Sequence, residues 1–103
     1  MSGDLEQVAP ATIQSLRACL EHTTELSQRV DIAMTYAATY GERDHDDTSA
    51  VLTDLVHAAA SASDDLQATR LLWALGWLEF DASDYVAALS HFEAARDAAR
   101  QAG

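Results

Sequence analysis

The stretch "LLWALGWLEF", Leu71 to Phe80, decides how this chain is read. From Leu71 to Leu78 no side chain is charged, in a chain whose formal net charge is -11. Laid on a helix at about 100° per residue, the stretch divides into three strips. Leu72, Leu75, Gly76 and Glu79 fall on one side. Trp73, Trp77 and Phe80 fall roughly opposite, at i, i+4 and i+7, with Arg70 on their flank. Leu71 and Leu78 make the third strip. One packed neighbour cannot cover all three, so the helix needs several. A glycine inside a helix costs about 1 kcal/mol relative to alanine, so Gly76 needs a packing reason. Close approach of a following helix supplies one, with Ala88 as the expected small counterpart.

Working outward, every other segment also reads as helix. No proline or glycine lies between Pro10, a good first-turn residue, and Gly41. Ile13, Leu16 and Leu20 form one stripe; Leu26, Val30, Ala33, Met34 and Ala37 form another. The spacing predicts helices over 10–22 and 25–40 with "EHTTE" as the turn, or one long bent helix. "GERDHDD", Gly41 to Asp47, is a break. Gly41 suits a helix C-terminus, and Asp47 or Thr48 suits the cap of a third helix carrying Val51, Leu52, Leu55, Ala58 and Ala59. In "ASASDD", Ser63 is the expected cap of a fourth helix, with Asp64 and Asp65 in its first turn. After "DASD", Ser83 or Asp84 caps a fifth, whose stripe is Tyr85, Ala88, Leu89, Phe92, Ala95 and Ala99. Nothing beyond Gly41 alternates as a strand would. The expectation is an all-α fold of about five helices in antiparallel hairpins, stacked on one another or packed as a helical bundle, forming one domain over 1–103 with residues 1–9 flexible.

Composition narrows the function classes. With 49% hydrophobic residues in 103, the chain can bury a modest single core. It has 17 carboxylates against six positive charges, and all six are arginine. Direct nucleic-acid binding needs a basic patch to neutralise phosphates, and docking on an anionic membrane needs the same; neither is expected. No run approaches the ~20 apolar residues of a membrane span. "MSGDLEQVAP" lacks the basic and apolar regions of a signal peptide, so a cytoplasmic location is expected. Cys19 is the only cysteine, which leaves no intramolecular disulfide and no cysteine-based metal site.

The last hairpin has a second kind of pattern. Leu72, then Leu75 and Gly76, then the turn Ser83, Asp84 and Tyr85, then Ala88, Phe92 and Ala95 stand at fixed offsets. This stretch resembles a tetratricopeptide repeat (TPR), whose unit is a helical hairpin with a sparse large, Leu-Gly, aromatic, Tyr, Ala, aromatic, Ala signature. Glu79 departs from it, standing where the family prefers an aromatic, and a buried unpaired carboxylate is costly. No proline closes the repeat. Ile32, Ala33 and Tyr36, with Val51, Leu55 and Ala58, resemble an earlier degenerate unit in which "GERDHDD" is an insertion. The resemblance covers about a quarter of the chain clearly. It implies a hairpin spanning 64–101, right-handed stacking of hairpins, and a protein-interaction module, adaptor or scaffold rather than an enzyme. In that family the first helix of each repeat lines the ligand groove, and Trp73, Trp77, Phe80 and Arg70 match the groove-facing positions. Trp and Arg are enriched at binding hot spots. The competing expectation is that this strip packs on the protein's own first helices. The partner implied is a protein or peptide, including a second copy of the chain; no cofactor is implied.

Other candidates are weaker. "RDHDD" clusters Asp44, His45, Asp46 and Asp47, but it has no internal glycine and Leu55 stands where an EF-hand needs glutamate; a solvated capping turn is expected, and no metal site. Asp54 and His57 are i, i+3 with no second pair. His91 is expected to be an exposed side chain. Arg17 and His22 in "RACLEH" superficially resemble the Arg-x4-His signature of HEPN ribonucleases, yet on one helix they point about 140° apart. An acidic inhibitor that mimics nucleic acid is the remaining alternative.

Overall fold

The structure, a computed structural model, describes residues 14–41 and 43–103. Pro10, Ile13 and the segment expected to be flexible, 1–9, lie outside the described residues. Those described form five helices and no strand. They are α1 (14–22), α2 (Leu26–Tyr40), α3 (His45–Ser61), α4 (Asp65–Asp81) and α5 (Tyr85–Ala102). The first two are separate helices, broken over 23–25. The Thr23 hydroxyl donates back to the Cys19 carbonyl there, an alternative to continuing the ladder.

The α4 helix is the hub. It packs against α5, α3 and α2, and α2 also packs against α3. Among α2 to α5, α5 packs on α4 alone. The core follows helical spacing: Leu52, Leu55 and Ala59 from α3 and Ala68, Leu71, Leu75 and Leu78 from α4 join Val30 and Ala33 from α2. Leu52, Leu55, Leu71 and Leu75 are essentially inaccessible, each stabilising the fold by about 1.5–3 kcal/mol. Leu20 on α1 packs on this cluster from outside. The α5 helix buries fully only Ala88 and Ala95, which fits its single neighbour.

The two turns that flank α4 are the same device. Ala62-Ser63-Asp64 ends α3 and Ala82-Ser83-Asp84 ends α4. Ser63 and Ser83 adopt left-handed φ of 53° and 65°. Ser63 N–H donates to the Ala60 carbonyl and Asp64 N–H to Ala59; Ser83 and Asp84 repeat this to Phe80 and Glu79. These are Schellman closures, with serine where glycine is usual. The aspartate then caps the next helix: Asp64 Oδ1 accepts from Gln67 N–H at 3.2 Å, and Asp84 Oδ1 from Ala87 N–H at 3.3 Å. Ser63 therefore closes α3 instead of capping α4, because a residue in the left-handed region cannot take the extended backbone of an N-cap. Gly41 also differs from expectation. Its dihedrals are right-handed, φ -56° and ψ -36°. A methyl there would meet the Ala37 carbonyl oxygen of α2's own last turn at 2.5 Å and Leu78 Cδ1 on α4 at 3.1 Å, so the helix end itself, with α4 beside it, leaves room only for glycine. The third helix begins at His45, earlier than the expected Asp47 or Thr48, and Asp44 at its N-cap makes no side-chain cap. Asp46 and Asp47 sit in its first turn, and Thr48 is wholly buried.

Gly76 is explained by one ring. A Cβ built on it would lie 2.5–2.9 Å from three carbons of Phe92. Phe92, rather than Ala88, fills the space that the glycine leaves, and this sets the approach of α5 to α4.

Two expectations follow from these contacts. Ser63→Gly and Ser83→Gly should each stabilise the protein by about 0.5–1 kcal/mol in urea denaturation, since glycine bears no Cβ penalty in the left-handed region. Gly76→Ala gains about 1 kcal/mol of helix propensity but overpacks Phe92 at a cost of about 1–3 kcal/mol. It should destabilise the wild type and stabilise a Phe92→Leu background, a sign reversal read by the same titration.

Candidate aromatic interaction site

The packing that seats Phe92 on Gly76 also builds a surface. Phe92 touches both tryptophans of α4: ring centroids lie 4.9 Å from Trp73 and 5.4 Å from Trp77. Trp73 and Trp77 meet edge-on at 6.2 Å, Trp77 meets Phe80 at 5.5 Å, and Phe80 meets Tyr85 at 5.3 Å. These are the tilted and edge-to-face arrangements that aromatic quadrupoles favour. The result is one continuous ridge of five rings. Trp73, Trp77 and Phe80 are 51%, 47% and 45% exposed, and Tyr85 is 60% exposed. Leu89, between Tyr85 and Phe92 on the same α5 stripe, is 60% exposed. The strip opposite Leu75 is thus held along one flank by α5 and open along its crest.

On its other flank the ridge borders a trough between α2 and α4. Met34, Ala37 and Ala38 form one wall, Trp73, Ala74 and Trp77 the other, and Asp81 and His45 lie toward one end. Its volume is about 680 Å³, within the ~300–1,000 Å³ of ligand clefts.

Arg70, on the ridge flank, is engaged by neighbours. One of its terminal nitrogens lies 2.6 Å from Asp31 Oδ1 on α2 and the other donates to Gln67 Oε1 at 2.9 Å. It ties α4 to α2 and arrives at the ridge already neutralised. Of the hairpin positions, Leu75, Gly76, Ala88 and Ala95 are buried, Leu72 and Phe92 are half-buried, and Tyr85 is exposed.

Glu79 is buried, with its side chain 10% exposed. Its Oε1 lies 2.6 Å from Nδ1 of His91 on α5. The distance is that of an ion pair, but the ring nitrogen makes no aligned hydrogen bond, and Glu79 Oε2 has no partner among the described residues. His91, expected to be an exposed side chain, is half-buried by this contact. The α4–α5 register brings it there, and i+12 spacing across a turn carries no single-helix signal.

A second polar group lies apart from the ridge. An Arg17 terminal nitrogen donates to the Tyr36 hydroxyl at 3.0 Å and to Asp47 Oδ2 at 2.7 Å. The Tyr36 hydroxyl contact, and then Asp47, hold the Arg17 pKa above its ordinary value. The guanidinium joins α1 to α2 and α3, and nothing described joins it to His22, which is exposed. Asp44, His45, Asp46 and Asp47 line a shallow polar surface with Arg43. Asp54, His57 and Cys19 are exposed. Among the described residues no cluster of His, Cys, Asp and Glu could hold a metal ion. No helix among them is long and apolar enough to cross a membrane. Comparison with family models, with curated proteins and with solved structures returned no match.

The Glu79–His91 contact makes a prediction of its own. Removing one partner strands a buried polar group, whereas replacing both with apolar residues of similar size is often neutral. His91→Ala should cost about 1–3 kcal/mol, and Glu79→Leu/His91→Leu should return stability close to wild type. Urea denaturation of the wild type and both variants checks this; a His91→Ala variant as stable as wild type would mean the carboxylate is rehydrated.

Proposed function

We propose that this chain is a non-catalytic protein-interaction module whose partner covers the ridge of Trp73, Trp77 and Phe80. One observation carries the reading. Five rings form a contiguous apolar crest with three α4 residues about half in solvent, on an acidic chain. Contiguous exposed apolar patches on small domains mark interaction sites more often than scattered residues do.

The TPR-like resemblance supports the same reading. Two hairpins, α2–α3 and α4–α5, are joined through α4, which packs on both helices of the first. Aligning Ala33 with Gly76, as the repeat pattern suggests, sets Val30, Met34 and Ala37 of α2 beside Trp73, Trp77 and Phe80 of α4. Val30 is fully buried, and Met34 and Ala37 pack against the core, where α4 lies along α2. The matching face of α4 carries larger aromatic residues and stays half open. Small groove-side residues on one repeat and large ones on the next suit an adaptor whose second hairpin does the gripping.

The test is affinity purification of the wild type and of Trp73→Ala/Trp77→Ala from the cells that encode the chain, with circular dichroism of both. Expected are unchanged helicity and loss of the co-purifying partner. Retention of the same partners at wild-type level overturns the reading. So does unfolding of the double variant together with partner retention by Phe80→Glu, which would place the tryptophans in the monomer core.

A further inference from the structure

We infer that the partner presents a basic amphipathic helix, from a different protein, to the aromatic ridge. This rests on the interaction reading above and adds its chemistry. Three observations point the same way.

The first concerns shape. The structure already contains one helix seated on such a face. Val30 of α2 is fully buried and Met34 and Ala37 are half-buried against the core that α2 shares with α4, to which α4 supplies Leu71, Leu75 and Leu78 at helical spacing. By the alignment above, Trp73, Trp77 and Phe80 repeat that row one hairpin later. A helix with anchors at i, i+3, i+4 and i+7 meets a row of this period with side chains in successive gaps. An extended strand, with alternate residues facing away, leaves half its side chains off the crest.

The second concerns charge. The two arginines nearest the ridge in sequence each have a carboxylate in ion-pair range: Arg70 lies 2.6 Å from Asp31, and Arg96, a turn beyond Phe92, lies 3.8 Å from Asp97. Asp81 follows Phe80 and lines the trough, Asp84 precedes Tyr85, and Glu93 follows Phe92. None of these three carboxylates is in an ion pair among the described residues. The rim is therefore acidic, and lysine or arginine on the flank of the incoming helix complements it. Arginine or lysine can also lie against the exposed indole faces, which attract cations.

The third separates a foreign partner from a second copy. Each chain has a formal net charge of -11. Pairing two copies through the ridge brings two acidic rims together, and like charges set against each other at an interface oppose association. A basic helix from elsewhere meets no such opposition.

The protein carries its own reporter, because both of its tryptophans are on the ridge. Tryptophan emission of the intact chain is titrated at low salt with three synthetic peptides of about five helical turns. One has a leucine stripe flanked by lysine and arginine. The second has the same stripe flanked by glutamate. The third is a scramble of the first, with equal charge and no apolar face. The expected result is a saturable blue shift with the basic amphipathic peptide, at least ~10-fold tighter than the scramble, absent with the acidic peptide, and weakened by salt. Asp81→Lys should weaken it several-fold with helicity unchanged, and Phe80→Ala should weaken it without changing its salt dependence.

Equal binding of the acidic peptide overturns the charge assignment. Equal binding of the scramble overturns the helical one. A blue shift that grows with protein concentration in the absence of peptide makes a second copy the occupant and overturns the foreign-partner assignment. If the tryptophan variant loses its cellular partner while no peptide binds, the interaction reading stands and this inference falls. If the basic helix binds and no cellular partner depends on the tryptophans, the interaction reading falls and takes the partner assignment with it, although the ridge still selects that peptide.

Discussion

The contact of Phe92 with Gly76 is the constraint from which most of the molecule's second half follows. A hydrogen in place of a methyl lets the ring sit against the α4 backbone, where a Cβ would be 2.5 Å from it. That approach draws the two helices close enough for Ala88 and Ala95 to be buried. It also fixes where the ring's edges and faces point: one flank meets Trp73 and another meets Trp77. The ridge is thus half core and half surface, since its base is a packing contact and its crest is open. Losing Phe92 would loosen the hairpin and free the indoles at once. Stability and the candidate site are coupled through a single side chain, and their energies are not expected to add as independent terms do.

The same approach explains the tolerance of Glu79. A carboxylate on the packing side of α4 is a poor choice for a core, and the TPR-like pattern has an aromatic there. The close hairpin brings His91 to 2.6 Å, which gives the carboxylate an ionisable neighbour without fully dehydrating either group. The contact is incomplete, with Oε2 unpartnered among the described residues. A half-satisfied polar pair contributes little net stability against an apolar replacement. What it contributes is register: sliding α5 by one turn would leave the glutamate facing Ala87, Ala88, Ala94 or Ala95.

Much of the architecture was legible from helical spacing alone. The stripes of α3, α4 and α5, the breaks between them and the absence of strands follow from period and turn residues, because local preference and tertiary packing agree there. Gly76 announced a close helix and Glu79 announced a conflict. Who answered each was not legible. Phe92 rather than Ala88 fills the space at Gly76, and His91 meets Glu79, because both depend on how far α5 slides along α4, a quantity no single helix encodes. The Arg70–Asp31 pair joins residues on helices separated by a whole hairpin, and Arg17 reaches Asp47 in the same way. Ser63 misled for another reason, and at the next turn the choice between Ser83 and Asp84 fell to Asp84. Serine before aspartate reads as a cap, yet here the aspartate caps and the serine takes the left-handed turn. The repeated Ala-Ser-Asp was the available signal, since the same three residues at both ends of one helix imply the same closure.

An exposed aromatic crest on a small domain is a hazard as well as a resource. Rings that can bury several hundred Å² against a partner can bury them as well against any apolar surface. The distribution of charge addresses this. Seventeen carboxylates against six arginines give every copy the same sign, so collisions between copies are opposed before the ridges meet. The rule acts on any acidic neighbour and relaxes only for a basic one. Neutralising Arg70 within the fold extends the rule to the flank of the site, where a free guanidinium would have offered an acidic ligand a hold. On the proposed reading, the ridge supplies affinity with little selectivity, while the acidic rim supplies selectivity with little affinity. Both are needed because neither alone distinguishes a partner from the many apolar or basic surfaces around it.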